Sequence, residues 1–244
     1  MSVTRRTTLA AILIAIATGS ALVAHGCTKS NGIREPEPSD IVAVIGPVRV
    51  TDEELNRFVE WSKRLDPALS PAKIRRVTVT DYWLPYRISR GLAGNDVVTR
   101  AKDAAEEFHR ALVEAGGDFE SFRRIAKVQG VHLEDSDEYV RAFNTLPMSL
   151  AMAAFETPVG GHTGPVASTL GYAVLGVIDE RFDGVVMRRL VMATFPFDSS
   201  IAFGNLVKKQ SLDLWNERSF VHPRYRVEFE NVLRNLSEDW PPPQ

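Results

Sequence analysis

Ala153 to Leu175 reads AAFETPVGGHTGPVASTLGYAVL, and the fold turns on how this stretch is read. Just upstream and overlapping it, Leu150 to Phe155 holds only Leu, Ala, Met and Phe, and reads as a short helix. Pro158 to Gly161 reads as a turn, with Gly160 at a backbone position that a Cβ would penalise. Pro165-Val166 and Tyr172 to Ile178 read as strands. The second is almost wholly apolar and is expected at the centre of a sheet, whereas Pro165 suits only an edge. Phe155 is expected to fill the space between helix and sheet.

Outward from this stretch the pattern is mixed. Val97 to Ala115 is helical by composition, with Ala101, Ala104, Ala105, Phe108 and Leu112 on one side. Gly116-Gly117 ends it, and Asp118 caps a second helix whose Phe119, Phe122 and Ile125 face inward. Val77-Thr78-Val79-Thr80 is β-branched and reads as a strand. Gln129 to Asp137 reads as a short acidic connection, its charges solvated. Strands and helices in this order around one small sheet predict an α+β domain.

Further toward the N-terminus, Ile41 to Ile45 reads as a buried strand turned by Gly46-Pro47. Thr51 and Glu54 then form a capping box for a helix with Leu55, Phe58 and Val59 on one face. On the C-terminal side, Val185 to Phe197 is extended, Leu206 to Arg218 helical and Tyr225 to Phe229 an edge strand. Trp240 to Gln244 is proline-rich and expected to be disordered.

The chain's first residues read as an export signal over 1–26. Arg5 and Arg6 form a positive start, Leu9 to Ala17 is apolar but short for a membrane span, and no acidic residue precedes Glu35. Cys27, the only cysteine, cannot form an internal disulfide and stands at the end of this segment. Its setting resembles a bacterial lipobox, which implies lipidation of Cys27. Ala24 and His25 depart from that pattern. Residues 27–39, with Pro36 and Pro38, read as a flexible tether. Removal of a leader carrying two arginines and no acid takes the net charge of −2 to −4. That balance argues against a nucleic-acid partner, and an apolar content of 44% suffices for a core. The histidines lack metal-ligand spacing, so neither a metal nor a cofactor is expected.

Ala153-Ala154-Phe155, Gly160, Gly164-Pro165-Val166 and Gly171-Tyr172 together resemble the C-terminal half of parvulin-type peptidyl-prolyl cis-trans isomerases. The helix before Gly116-Gly117 and the following Asp118-Phe119 extend the likeness upstream. The resemblance implies a four-stranded antiparallel sheet with packed helices over residues 76–182. It also implies flanking segments at 40–75 and 183–236 that pack together, and a tail at 237–244. It places the proline-binding cup at Leu146 and Leu150 with Phe155 beneath, and polar roles at Asp81 (or its neighbour Tyr82) and Ser168. Ala173 stands where the family has a histidine after Gly-Tyr, and the family's glycine-rich loop is absent. Isomerisation needs the twisted amide bound better than the planar one. Without the histidines the hydrogen-bond network that orients such a site is lost.

Three functions fit this pattern. The first is a lipoprotein on the periplasmic side of a bacterial cell envelope, anchored to the membrane by lipid. It would bind unfolded or proline-containing segments of exported proteins with weak or no isomerase activity. The second is an active isomerase using Asp81, Ser168 or Tyr82. The third is an assembly subunit in which the fold is only a scaffold.

Overall fold

In the computed structural model the chain is described over residues 40–142 and 146–240. The leader, Cys27 and the tether lie outside these residues. The architecture is α+β, with two four-stranded sheets and helices packed on them.

The first sheet joins distant parts of the sequence. β1 (Ile41–Ile45) and β2 (Val48–Thr51) form a hairpin turned at Gly46, whose φ is +54°. β7 (Arg218–Val221) pairs antiparallel with the other edge of β1, and β8 (Asn235–Leu236) pairs parallel with β7. The strand order is therefore β2-β1-β7-β8. α1 (Asp52–Leu65) starts from the expected capping box: Glu54 N donates to Thr51 Oγ1 and Thr51 N donates to the Glu54 carboxylate. Leu55 and Val50 enter a core with Ile45, Val79, Leu84, Val207 and Phe229.

Val77 to Thr80 does not form the expected strand. α2 (Pro71–Val77) runs into a π-helical turn over Thr78–Trp83, and α3 (Leu84–Ala93) follows. Leu84 N donates to Val79 O, five residues back. The wide turn sits directly before Pro85, which has no N–H to continue a regular ladder. Burial outweighs strand propensity here, since Thr78, Val79 and Thr80 are all buried by helix packing.

α4 (Asn95–Glu114) and α5 (Phe119–Gln129) cover one face of the second sheet. Ser121 N donates to Asp118 Oδ1 at 2.7 Å, so the expected cap is present. Phe108, Leu112 and Phe122 pack on Val174, Val191 and Ala193. α6 (Met148–Glu156) covers the other face with Leu150, Ala151 and Phe155.

The second sheet has the order β3-β6-β5-β4, antiparallel throughout. β3 (His132–Arg141) takes in much of Gln129 to Asp137, the stretch read as an acidic connection. It is an edge strand, mostly exposed, and its carboxylates protect that edge from further pairing. β4 (Val166–Ala167) and β5 (Gly171–Phe182) fall where the sequence placed them. β6 (Val186–Pro196) lies between β3 and β5, inside the sheet. A strand following the Gly-Tyr strand thus occupies an interior place, and among the described residues no strand before α4 joins this sheet. The boundary drawn at 182/183 falls inside the β5–β6 hairpin.

Two C-terminal expectations are corrected. Tyr225 to Phe229 is helical: a short turn from Pro223 leads into α8 (Arg226–Phe229). Tyr225 and Phe229 are buried while Val227 is 78% exposed, a spacing of four rather than two. The tail read as free from 237 begins packed. Ser237 is buried, Arg218 donates to Ser237 Oγ, and Trp240 lies edge-on to His222. Residues 241–244 lie outside the described residues.

Candidate functional site

A cleft of about 610 Å³ opens where α6, the turn between β4 and β5, β6 and α7 (Ile201–Asn216) meet. Its walls are mainly apolar: Leu150 from α6, Met192 and Pro196 from β6, and Val207, Leu212 and Trp215 from α7. Pro85 and Pro147 add two more rings. Apolar concavities of this size with a few fixed polar groups are the usual form of a ligand site.

Four of the residues singled out from sequence converge here. Asp81, Leu150, Ser168 and Ala173 all line the cleft. Leu146 and Phe155 do not; they pack beside it in the core that also contains Leu150, Ala173 and Leu175. Asp81 is exposed and sits in the π-helical turn rather than at a strand end, accepting from Thr80 Oγ1 at 2.7 Å. Its neighbour Tyr82 turns away from the cleft. It packs against Phe58, Trp83 and Tyr86, and lines a separate hollow with Ser149. Burial is the main cause of its raised phenol pKa.

The turn that carries Ser168 is held on every carbonyl. Ser168 N donates to Gly171 O and Phe197 N to Leu170 O, each at 2.9 Å. From α3, Arg90 Nη1 donates to Ser168 O at 3.2 Å and the buried Ser89 hydroxyl to Thr169 O. The Arg90 guanidinium lies 3.5 Å from the Tyr86 ring centroid and 5.1 Å from that of Phe197. The cleft wall is thus pre-formed by a helix packed behind it.

α7 forms the opposite wall. Ser200 caps it by accepting from Phe203 N, and Ser211 Oγ donates back to Val207 O at 2.8 Å. That hydroxyl is engaged on its own helix. Trp215 differs, because its Nε1 is sealed from solvent and meets no acceptor among the described residues. Sequence reading missed α7 and β6 as walls. Val207, Ser211 and Trp215 share a helical spacing that marked the stripe, but nothing local said what it would face.

Ala173 is 1% exposed, with Val166 opposite it on β4 and Thr194 on β6. An imidazole at this position would displace its neighbours. The lining residues include neither histidine nor cysteine; the polar side chains of the cleft are hydroxyls, Asp81, Glu134 and Lys208. His109 and His162 form a pair elsewhere, with ring centroids 5.3 Å apart. Burial first, and then the neighbouring His162, push the His109 pKa down. Among the described residues no cluster of metal-ligating side chains forms and no helix is long and apolar enough to cross a membrane.

No protein-family model, no curated protein and no solved structure matches this chain.

Proposed function

We propose that the protein is a parvulin-like lipoprotein of a bacterial cell envelope that holds unfolded or proline-containing segments of exported proteins in this cleft, with weak or no isomerase activity. In this reading Cys27 carries the lipid, and the soluble part works on the periplasmic side. The observation that carries the proposal is convergence. Asp81 is far in sequence from the motif that holds Leu150, Ser168 and Ala173, yet all four, singled out from the resemblance, line one apolar cleft.

The cleft favours binding over turnover. Isomerisation requires groups that stabilise the twisted amide more than the planar one. Asp81 is solvated, the Ser168 main chain is already engaged, and Ala173 offers no hydrogen bond. A second reading, an active isomerase, draws on the fact that Asp81 and Ser168 do share the cleft. Desolvation and shape alone can supply part of a rate.

A coupled assay of prolyl-peptide isomerisation, run beside equilibrium binding of the same peptides, decides between them. Binding without appreciable turnover is expected. Turnover at the level of an active parvulin, lost in Leu150→Ala, would overturn the binding-only reading. Absence of any peptide binding would overturn the proposal as a whole.

A further inference from the structure

The cleft is electrically uneven along its length. Three charged side chains line it, Asp81, Glu134 and Lys208, and all three are solvent-exposed. Their sequence neighbours are paired: Asp135 with Arg123 and Lys209 with Asp213, each at 2.6 Å. The three on the cleft make no ion pair among the described residues. Asp81 accepts only from its neighbour's hydroxyl, Thr80 Oγ1.

The fold sets where these charges lie. Lys208 follows Gly204 by about one turn of α7, and a Cβ at Gly204 would lie 4.0 Å from Leu170 Cδ1 in the β4–β5 turn. The cation therefore belongs to the turn end of the cleft. Leu170 O accepts from Phe197 N, whereas Glu134 stands opposite Met192, five residues earlier in the chain than Phe197. At about 3.4 Å per residue, Glu134 is roughly 17 Å along the sheet from that turn. Met192 pairs with Leu175 on β5, so Glu134 projects from the same sheet face as Met192 and Ala173. Asp81 comes eight residues before Ser89, whose hydroxyl holds the turn at Thr169 O, a rise of about 12 Å along a helix. Both carboxylates thus lie away from the turn, and the cation lies at it.

A pre-formed apolar trough with two unpaired carboxylates beyond one end complements apolar residues that adjoin a cation. The aliphatic stem of a Lys or Arg can lie on Leu150 and Met192 while its charged head reaches a carboxylate. An acidic segment would meet two like charges against one ammonium. The net charge of −2 on the chain acts in the same direction.

We infer that the occupant of the cleft is a polypeptide segment with a Lys or Arg beside its apolar or proline residues, and that Asp81 and Glu134 select it by pairing with that cation. The inference rests on the cleft being a peptide site, as proposed above, and adds the charge class of the peptide.

Calorimetry on the full chain at about pH 8, where imidazole is uncharged, compares three blocked peptides: acetyl-Lys-Ala-Leu-Pro-Ala-Lys-amide and its counterparts with Gln or with Glu at both lysines. One exposed ion pair changes an affinity by up to about fivefold. The Lys peptide should therefore bind about three- to tenfold tighter than the Gln peptide, and the Glu peptide no tighter than the Gln peptide. The advantage of lysine should shrink between about 0.01 M and about 0.15 M salt, as the Debye length falls from about 30 Å to about 8 Å. It should vanish in the double variant Asp81→Asn, Glu134→Gln, which keeps both shapes and removes both charges, and widen in Lys208→Gln. The wild-type comparison and its salt dependence decide the matter even where a variant folds poorly. Equal affinity for the Lys and Gln peptides, a Glu peptide that binds best, an advantage indifferent to salt, or one that survives in the double variant overturns the inference while the peptide site stands. If none of the three peptides binds, the inference fails together with the function it rests on.

Discussion

Arg188 joins the hairpin of the second sheet to the helix that walls the cleft. Its side chain is only 11% exposed. Nη1 donates to the carbonyls of Ala154 and Thr157, at the C-terminal end of α6. The guanidinium also pairs with Glu180 at 2.7–2.8 Å and lies 5.2 Å from the Phe155 ring centroid. A cation at a helix C-terminus meets carbonyls that have no partner within the helix. Arg188→Met keeps much of the aliphatic bulk and removes every donor. Hydrogen bonds to a charged group contribute about 1.5–3 kcal/mol each. Glu180 is 40% exposed, so the ion pair itself adds no more than about 1 kcal/mol. Allowing for partial rehydration of the carbonyls, the loss should be about 3 kcal/mol, in the range seen when one partner of a buried pair is removed. In a domain of this size that corresponds to a fall in Tm of about 6–12 °C. Urea unfolding followed by circular dichroism measures it, with Glu180→Gln as control at under about 1 kcal/mol. A loss below about 1 kcal/mol in Arg188→Met, or equal losses in the two variants, would refute the assignment of Arg188 as the anchor of α6.

Gly171→Ala should destabilise by about 1–3 kcal/mol through overpacking. Its Cβ would lie 2.3 Å from Phe195 O and 2.7 Å from Pro196 Cα, backbone atoms that cannot rotate away; a thermal melt reads the outcome. Leu150→Ala should cost about 2–5 kcal/mol for the cavity it leaves, since Leu150 is 3% exposed, and the same variant should weaken peptide binding in the cleft. Stability should also fall on mild acidification. The depressed pKa of His109 means the unfolded chain binds the proton more readily, so this contribution is complete above the ordinary histidine value near 6.5 and is lost as pH drops through it toward the lower folded value. His109→Asn should flatten that part of the pH–stability curve, and an unchanged curve would count against the pair.

The legible parts of the fold were those written in local chemistry. Thr51 with Glu54, Asp118 with Ser121 and the positive φ of +81° at Gly160 each depend on a few adjacent residues. The misread parts were decided at a distance. Val77 to Thr80 has strand-forming residues, but the cores around α1 and α3 bury it as helix. His132 to Arg141 has no apolar alternation because it is an edge strand, defined by its pairing with β6. Tyr225 and Phe229 fit either alternation or a helical turn, and only the exposure of Val227 decides. The same holds for the cleft. Leu150, Ser168 and Ala173 lie in one motif, whereas Trp215 reaches them only through the tertiary placement of α7.

The interior position of β6 in one sheet and of β7 in the other sets the order in which the protein can be completed. A nascent chain that has emerged only as far as Phe182 holds β1 to β5 but lacks β6 of one sheet and β7 and β8 of the other. Up to that point β1 lacks its second neighbour and β5 exposes the side that β6 will cover. Translation must pass Leu236 before both β-layers are complete.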